Sequence, residues 1–341
     1  MRKKLKTLKE LIYRENLHRL LAVILAIVLF STVSMVYFEP NITWLNAFWW
    51  SIVTLTTVGY GDIAPVTIGG RIVGVLVMFL GIGLLGMFTA TVASFFVERK
   101  LKEDRGMGDF QLKDHIIIVE WNFRAAEILK EFRGDRRLRD KPVALIANLE
   151  QKPVDDPLLY FIQGDVNEET LERANIRQAK TVVILGDDRL DPTSRDARVV
   201  LSALTVETIR PEVYTIAELV DGKNRPHCER ARVDEIIIGS EFSSRLISRA
   251  TLDHGISRVL SELLSSRVGN ELCKSPVPPE WVGMSFLEAF QQAKENHNSI
   301  LLAVQHGPEG EVVANPEANL RLQKEDYVIY ISESPKVFEK K

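Results

Sequence analysis

The run Thr57-Val58-Gly59-Tyr60-Gly61-Asp62 sets two glycines at alternate positions, between an aromatic apolar segment and a long apolar one. Successive backbone carbonyls can all face one axis only if the chain visits dihedrals that side chains resist, and glycine visits them without steric cost. Rings of such carbonyls, one ring per residue, can replace the hydration shell of a potassium ion at nearly equal energy. Thr57, Val58, Gly59 and Tyr60 would supply those K+ sites, with Gly61 and Asp62 closing the motif. Thr57 would add a hydroxyl ring below the carbonyls, and Tyr60 would brace the loop against the aromatic residues upstream. The same string could close a hairpin in an ordinary loop. Its setting between two apolar runs argues for the first reading.

Working outward, the bulk figures conceal an uneven chain. Its 341 residues are 46% hydrophobic and 26% charged, with a net charge of −3. Between Leu20 and Val97, however, the only charged residues are Glu39, Asp62 and Arg71. Residues 20–38 form an uncharged run of about the length that crosses a bilayer core. Residues 71–97 form a longer one, uncharged after Arg71, with room for tilt. A signal peptide is an alternative for the first run, but the bulky Tyr37-Phe38-Glu39-Pro40 offers no small-residue cleavage site. Trp44 to Thr56 is apolar but too short to cross, which at membrane depth suits a re-entrant helix buried in protein. Asn41 or Thr43 would cap its start, and Trp44, Trp49 and Trp50 would form a packing cuff around the loop or an interfacial belt.

Flanking charge sets the orientation. Arg2, Lys3, Lys4, Lys6, Lys9, Arg14 and Arg19 precede the first span, and Arg99, Lys100, Lys102 and Arg105 follow the second. The positive-inside rule then places both termini in the cytoplasm of a multi-pass protein of the cell membrane. Within residues 1–19, Leu5, Leu8, Leu11 and Ile12 suit an amphipathic helix on the inner leaflet. Cys228 and Cys273 both fall in the cytosolic part and read as reduced thiols without a metal role.

Span (20–38), pore helix (44–56), filter (57–62) and second span (71–97) together resemble the two-transmembrane potassium channels of prokaryotes. One subunit supplies one strand of such a filter, so the resemblance implies a homotetramer closed around an axis. The second span carries Gly81, Gly83 and Gly86, each costing up to about 1 kcal/mol relative to alanine inside a helix. They suit either a gating bend or close helix packing. The resembling channels have a hinge glycine at the position of Gly81. No span repeats arginine at every third position, so no intrinsic voltage sensor is expected.

After a charged connector over residues 98–114, apolar strand patterns alternate with amphipathic helices from His115 to Ile238. That alternation argues a parallel sheet covered on both faces, a Rossmann-like lobe over residues 115–239. Gln163-Gly164-Asp165, Glu169-Thr170-Leu171-Glu172-Arg173-Ala174 and Thr181-Val182-Val183-Ile184-Leu185 resemble the RCK domain, the regulator of potassium conductance attached to calcium-gated channels. The resemblance extends to a helix-turn-helix crossover over residues 240–268, broken at Asp253-His254-Gly255, and a small α+β C-terminal lobe over residues 271–338. The implied fold is an α-helical membrane pore joined to an α/β Rossmann-like RCK domain.

The sensor's ligand is less legible. The positions of a Gly-x-Gly-x-x-Gly fingerprint hold Glu120, Asn122 and Ala125, and the acid expected after the second strand is replaced by Asn148. Glu120 would place a negative charge beside any phosphate, which argues against ordinary dinucleotide binding. Arg124 would offset part of it. In the calcium-gated relatives one acid follows the fourth strand and two follow the fifth; here Gly186 precedes Asp187-Asp188, Glu218 matches the second, and Val220 stands at the third beside Asp221. Asp187, Asp188, Asp191, Glu218 and Asp221, with Asp165 nearby, read either as a shifted site for Ca2+ or another divalent, centred on Asp187 and Glu218, or as solvated loop acids with cap duty.

The expected function is a ligand-gated, potassium-selective channel and not an enzyme. Sensors in an octameric ring would pull the inner helices apart through the connector, by differential ligand affinity for two ring states. The bilayer is the other expected partner, and nucleic acid is not one. A potassium-transporter subunit is a rival reading, weakened by the single intact filter. A membrane-tethered nicotinamide enzyme is another, weakened by the missing glycine fingerprint.

Overall fold

The computed structural model describes residues 17–267, 269–308 and 310–333. The amphipathic segment expected around Leu5, Leu8, Leu11 and Ile12 lies outside them, as does the C-terminal lobe beyond residue 333. The chain divides into two compact units, one ending at Asp104 and one beginning at Arg105.

In the first unit, α1 (Leu17–Phe38), α2 (Trp44–Leu55) and α3 (Ile68–Asp104) pack together. Long uncharged stretches of Leu, Ile, Val, Phe and Ala make both α1 and α3 long and apolar enough to cross a membrane. Polar groups in α1 are satisfied locally: the Ser31 and Thr32 hydroxyls donate to the Val28 carbonyl. Such back-bonding hides a hydroxyl from an apolar surrounding. Met35, Ala47 and Trp50 are buried together, while Leu21, Leu25, Phe30, Ile72 and Phe79 stay exposed on the outer faces. Thr43 caps α2 by accepting from the Asn46 amide at 3.3 Å. Glu39, just beyond α1, is buried and accepts from both the Thr67 amide (2.9 Å) and its hydroxyl (2.7 Å), tying α1 to the approach to α3.

α3 runs seven residues past the expected end of the second span. Its 37 residues reach about 55 Å at 1.5 Å per residue, well beyond a hydrocarbon core of about 30 Å. The last turns carry the i,i+4 pairs Lys102 with Glu98, Arg99 with Glu103 and Lys100 with Asp104. The stretch expected as a connector over 98–114 is therefore helical up to Asp104.

The second unit opens with a strap. Gly106, at φ +67°, gives its carbonyl to the Gln163 amide at 3.1 Å. Arg173 reaches the Gly106 and Gly108 carbonyls, Asn175 donates to Leu112 at 2.6 Å, and Phe110 meets Tyr160 edge-on at 5.1 Å between centroids. Residues 105–114 are thus bonded to the sheet that follows. That sheet is parallel, with β1 (His115–Val119), β2 (Val143–Ala147), β3 (Leu159–Gln163), β4 (Ala179–Ile184), β5 (Tyr214–Leu219) and β6 (Glu235–Ile238) in the order 3-2-1-4-5-6. All five residues of both β1 and β2 are buried, as strands covered on both faces require. The intervening helices are α4 (Phe123–Gly134), α5 (Glu168–Arg173), α6 (Pro192–Ile209) and α7 (Arg225–Arg230).

α8 (Gly239–Leu252) and α9 (Ile256–Leu264) follow, separated at Gly255, which sits at φ +96°. The final lobe is an antiparallel sheet of β7 (Glu271–Pro276), β8 (Ile300–Gln305), β9 (Val312–Ala314) and β10 (Tyr327–Ser332), in the order 7-10-8-9, with α10 (Phe286–His297). Apolar patterns point to strands at residues 300–304, 311–313 and 327–331 of this lobe but not to β7, because Lys274 and Pro276 break its pattern; an edge strand tolerates both. Cys228 and Cys273 are buried free thiols, pushed by burial to about 11 and so held as inert protonated groups.

Candidate functional site

The loop after α2 realises the geometry its glycines suggest. Thr57, Gly59 and Gly61 lie at φ +61°, +59° and +75°, whereas Val58 and Tyr60 are not in the positive region. Alternating signs of φ are what a loop needs if successive carbonyls are to face one side. The Val58 amide donates to the Val53 carbonyl at 3.0 Å and the Thr57 amide to Thr54 at 3.1 Å, which anchors the loop to the end of α2. Thr57 holds a left-handed dihedral despite its β-branched side chain, the kind of strain that persists only where neighbours enforce it.

The aromatic brace falls to one tryptophan. Trp49 stacks on Tyr60 with centroids 6.0 Å apart and planes 7° from parallel. Its indole Nε1 donates to Asp62 Oδ2 at 2.9 Å. Trp50 is instead buried against α1, and Trp44 is exposed. Below the loop, Thr57 and the Ile82, Leu85, Gly86, Thr89 and Ala93 face of α3 line one concavity. Gly81 faces the other way: an ideal Cβ there would stand 2.8 Å from the Leu55 carbonyl oxygen, whereas Gly83 and Gly86 have open space. α3 is continuous through all three.

In the second unit the candidate ligand residues separate into two sets, each neutralised by arginines. Glu120 is buried at φ +70° and faces Arg189 at 3.7 Å and Arg198 at 4.0 Å. Burial, then the neighbouring Asp187, pushes its carboxyl above the usual range. Asp187 is chelated by Arg189, whose Nε and Nη2 lie at 2.8 and 2.9 Å, and that hydrogen bonding holds it below the usual range. Asp165 pairs with Arg198. The second set is a closed quartet. Glu218 takes Arg124 Nε at 2.8 Å and Arg195 Nη2 at 3.1 Å, while Asp188 takes Arg195 Nη1 at 2.8 Å and also Arg124. Gly186 makes room for it, since an ideal Cβ there would overlap the Arg195 side chain.

The remaining candidates have structural duties. Asn122 caps α4 by accepting from Ala125 at 2.9 Å, and its amide donates to the Gly186 carbonyl. Asp191 caps α6 through the Thr193 and Ser194 amides. Asp221 accepts from the Lys223 amide in the next turn, and Asn148 is exposed beyond β2. Sequence reasoning overlooked Asp196, buried and accepting from the Val220 and Asp221 amides. It also overlooked Arg189, Arg195 and Arg198. The available signal was Arg195 and Arg198 three apart, one turn of α6, directly after an acid-rich loop.

Neither implied ligand fits this rim. The cavity at the carboxyl edge of β1 and β4 is about 10 Å³, room for one water. The Asn122 side chain already takes the Ala125 amide at the start of α4, and the buried Glu120 carboxyl lines the space a pyrophosphate would need. A calcium ion needs six to eight oxygens, yet Asp187 and Glu218 belong to different arginine-paired sets. Among the described residues no three His, Cys, Asp or Glu side chains gather as a metal site.

Comparison with known proteins bears on the chain as a whole. Residues 20–98 match the ion channel family model, and residues 111–217 match the calcium-activated potassium channel slowpoke-like RCK domain. The calcium-gated potassium channel TvoK of Thermoplasma volcanium is 30% identical over 314 residues, covering 91% of this chain and 88% of that one. Potassium channel protein 1 of Methanocaldococcus jannaschii is 25% identical over 84% of this chain and 85% of its own length. The solved human SLO3 gating ring shares the fold at a TM-score of 0.51 and 17% identity, over 65% of this chain and 45% of that one. With an ion-conducting helical module and a Rossmann-like regulator in one polypeptide, the chain belongs to the family of ligand-gated potassium channels that carry RCK domains.

Proposed function

We propose that four copies surround one axis, and that Thr57, Val58, Gly59 and Tyr60 of each line a filter for dehydrated K+. The observation that carries this reading is the alternation of left-handed dihedrals at Thr57, Gly59 and Gly61. Exposures of 53% for Val58 and 69% for Tyr60 in the single chain agree with surfaces awaiting neighbouring copies. Both termini lie on the cytoplasmic side of the cell membrane, and eight regulatory units form the gating ring. Purified channel in vesicles should pass K+ down a gradient and exclude Na+. Equal flux of the two ions overturns the proposal.

Calcium does not carry over from TvoK to this rim, because guanidinium groups already stand where a divalent cation would sit. Millimolar Ca2+ is accordingly expected to leave the unfolding midpoint of the purified channel unchanged; a saturating upward shift would contradict this. Replacing Arg195, whose side chain is 13% exposed, by alanine strands Glu218 and Asp188 with half their partners. A loss of about 3 kcal/mol is expected on denaturant unfolding.

A further inference from the structure

Another cavity of the second unit lies away from the sheet edge and shares no lining residue with the one there. It measures about 450 Å³ and is walled by α4, the loop after β2 and the segment after α9. That volume falls within the range of small-molecule sites.

Its lining is of two kinds. Trp121, Leu129 and Val154 give an apolar wall, while Lys130, Arg133 and Arg267 bring three cations against the single carboxylate of Asp156. Asp156 is already engaged by Arg133 Nε at 2.7 Å, and Arg133 Nη1 is held by the Lys141 carbonyl at 2.9 Å. Lys130 pairs only with the exposed Glu127 on its own helix, an interaction worth little in water. Among the described residues neither the Arg267 guanidinium nor the Trp121 indole N–H has a partner. The cavity therefore holds surplus positive charge beside a flat apolar surface.

Arg267 is held in place by its backbone. The Ser266 amide donates to Glu131 Oε2 of α4 at 2.8 Å, with the Ser265 hydroxyl on the same carboxylate. The Arg267 chain then crosses Gly134, where an ideal Cβ would stand 2.5 Å from its Cγ. A glycine at that helix end is what admits it.

We infer that this cavity binds a small organic anion with a flat apolar body, its charged head on Arg267 and Lys130 and its body against Trp121. This rests on the reading of the second unit as the channel's regulator, and names the class of ligand that regulator takes. Such a ligand would hold the segment leaving α9 against α4 and bias the regulator toward the state in which the two meet.

The test uses purified full-length channel and 1-naphthyl phosphate as probe, with 1-naphthol and inorganic phosphate as controls. Calorimetric titration should show saturable binding of 1-naphthyl phosphate, at least about tenfold tighter than either control. The Arg267→Gln, Lys130→Gln double variant should lose about tenfold or more in affinity with its unfolding midpoint unchanged, since both side chains are exposed. Absent saturation, equal binding of 1-naphthol, or wild-type affinity in the double variant would each overturn the inference. K+ flux recorded on the same preparation separates the two readings: flux without binding defeats the cavity alone, and absence of K+ flux defeats the channel reading.

Discussion

A Gly59→Ala channel should assemble and fail to discriminate K+ from Na+. Gly59 lies at φ +59°, and an ideal Cβ on it meets nothing within 4 Å. The substitution therefore tests backbone conformation and not space. A side-chain-bearing residue in the left-handed region costs about 1–2 kcal/mol, and in the proposed tetramer that cost would recur in every copy at one axis. The strain is relieved by turning the peptide plane between Val58 and Gly59. That rotation swings the Val58 carbonyl away from the axis and deletes a ring of oxygens. Since about 1.4 kcal/mol is tenfold in an equilibrium, a fall of at least about tenfold in the K+/Na+ permeability ratio is expected in bi-ionic single-channel recording. A variant with unchanged selectivity would mean that the Val58 carbonyl is not a ligand.

Gly81→Ala is the second large effect, and it separates two roles for the glycines of α3. Its Cβ would meet Leu55 at the carbonyl oxygen (2.8 Å), Cα (3.1 Å) and Cδ1 (3.1 Å). Two of those atoms are backbone at the end of α2, where the Thr57–Asp62 loop is anchored, so they yield only if α2 moves. Overpacking of this kind costs about 1–3 kcal/mol, per subunit. The expected result is a lowered unfolding midpoint and reduced conduction. Gly83→Ala and Gly86→Ala meet no obstruction and should stabilise α3 by up to about 1 kcal/mol each. Gly81→Ala with a wild-type midpoint but altered opening would assign Gly81 to bending instead of packing.

These expectations show where sequence reading succeeds. The Thr57–Asp62 loop is six consecutive residues whose dihedral demands are local, so its glycines announce its left-handed backbone before any fold is known. The apolar helices and the doubly covered strands are equally legible, because burial on all sides leaves hydrophobic runs such as residues 116–119 of β1. The regulator's rim was harder to read. Arg124 lies 94 residues from Glu218 and 64 from Asp188, and no local pattern records which arginine will neutralise which acid. An acid run that read as a possible calcium site became two arginine-held sets once α4, α6 and the sheet edge were brought together. β7 escaped for a related reason, since an edge strand need not keep the alternation of a central one.

Chain order alone already implied an ion-conducting module followed by a parallel α/β regulator, since hydropathy and glycine placement act through neighbours in sequence. Folding in three dimensions settled which tryptophan steadies Tyr60, which glycine of α3 touches the pore helix, and which charges cancel at the sheet edge. Those outcomes depend on distances between segments far apart in the chain. Packing contacts and hydrogen-bonded ion pairs form only over a few ångströms, a scale that linear order does not report.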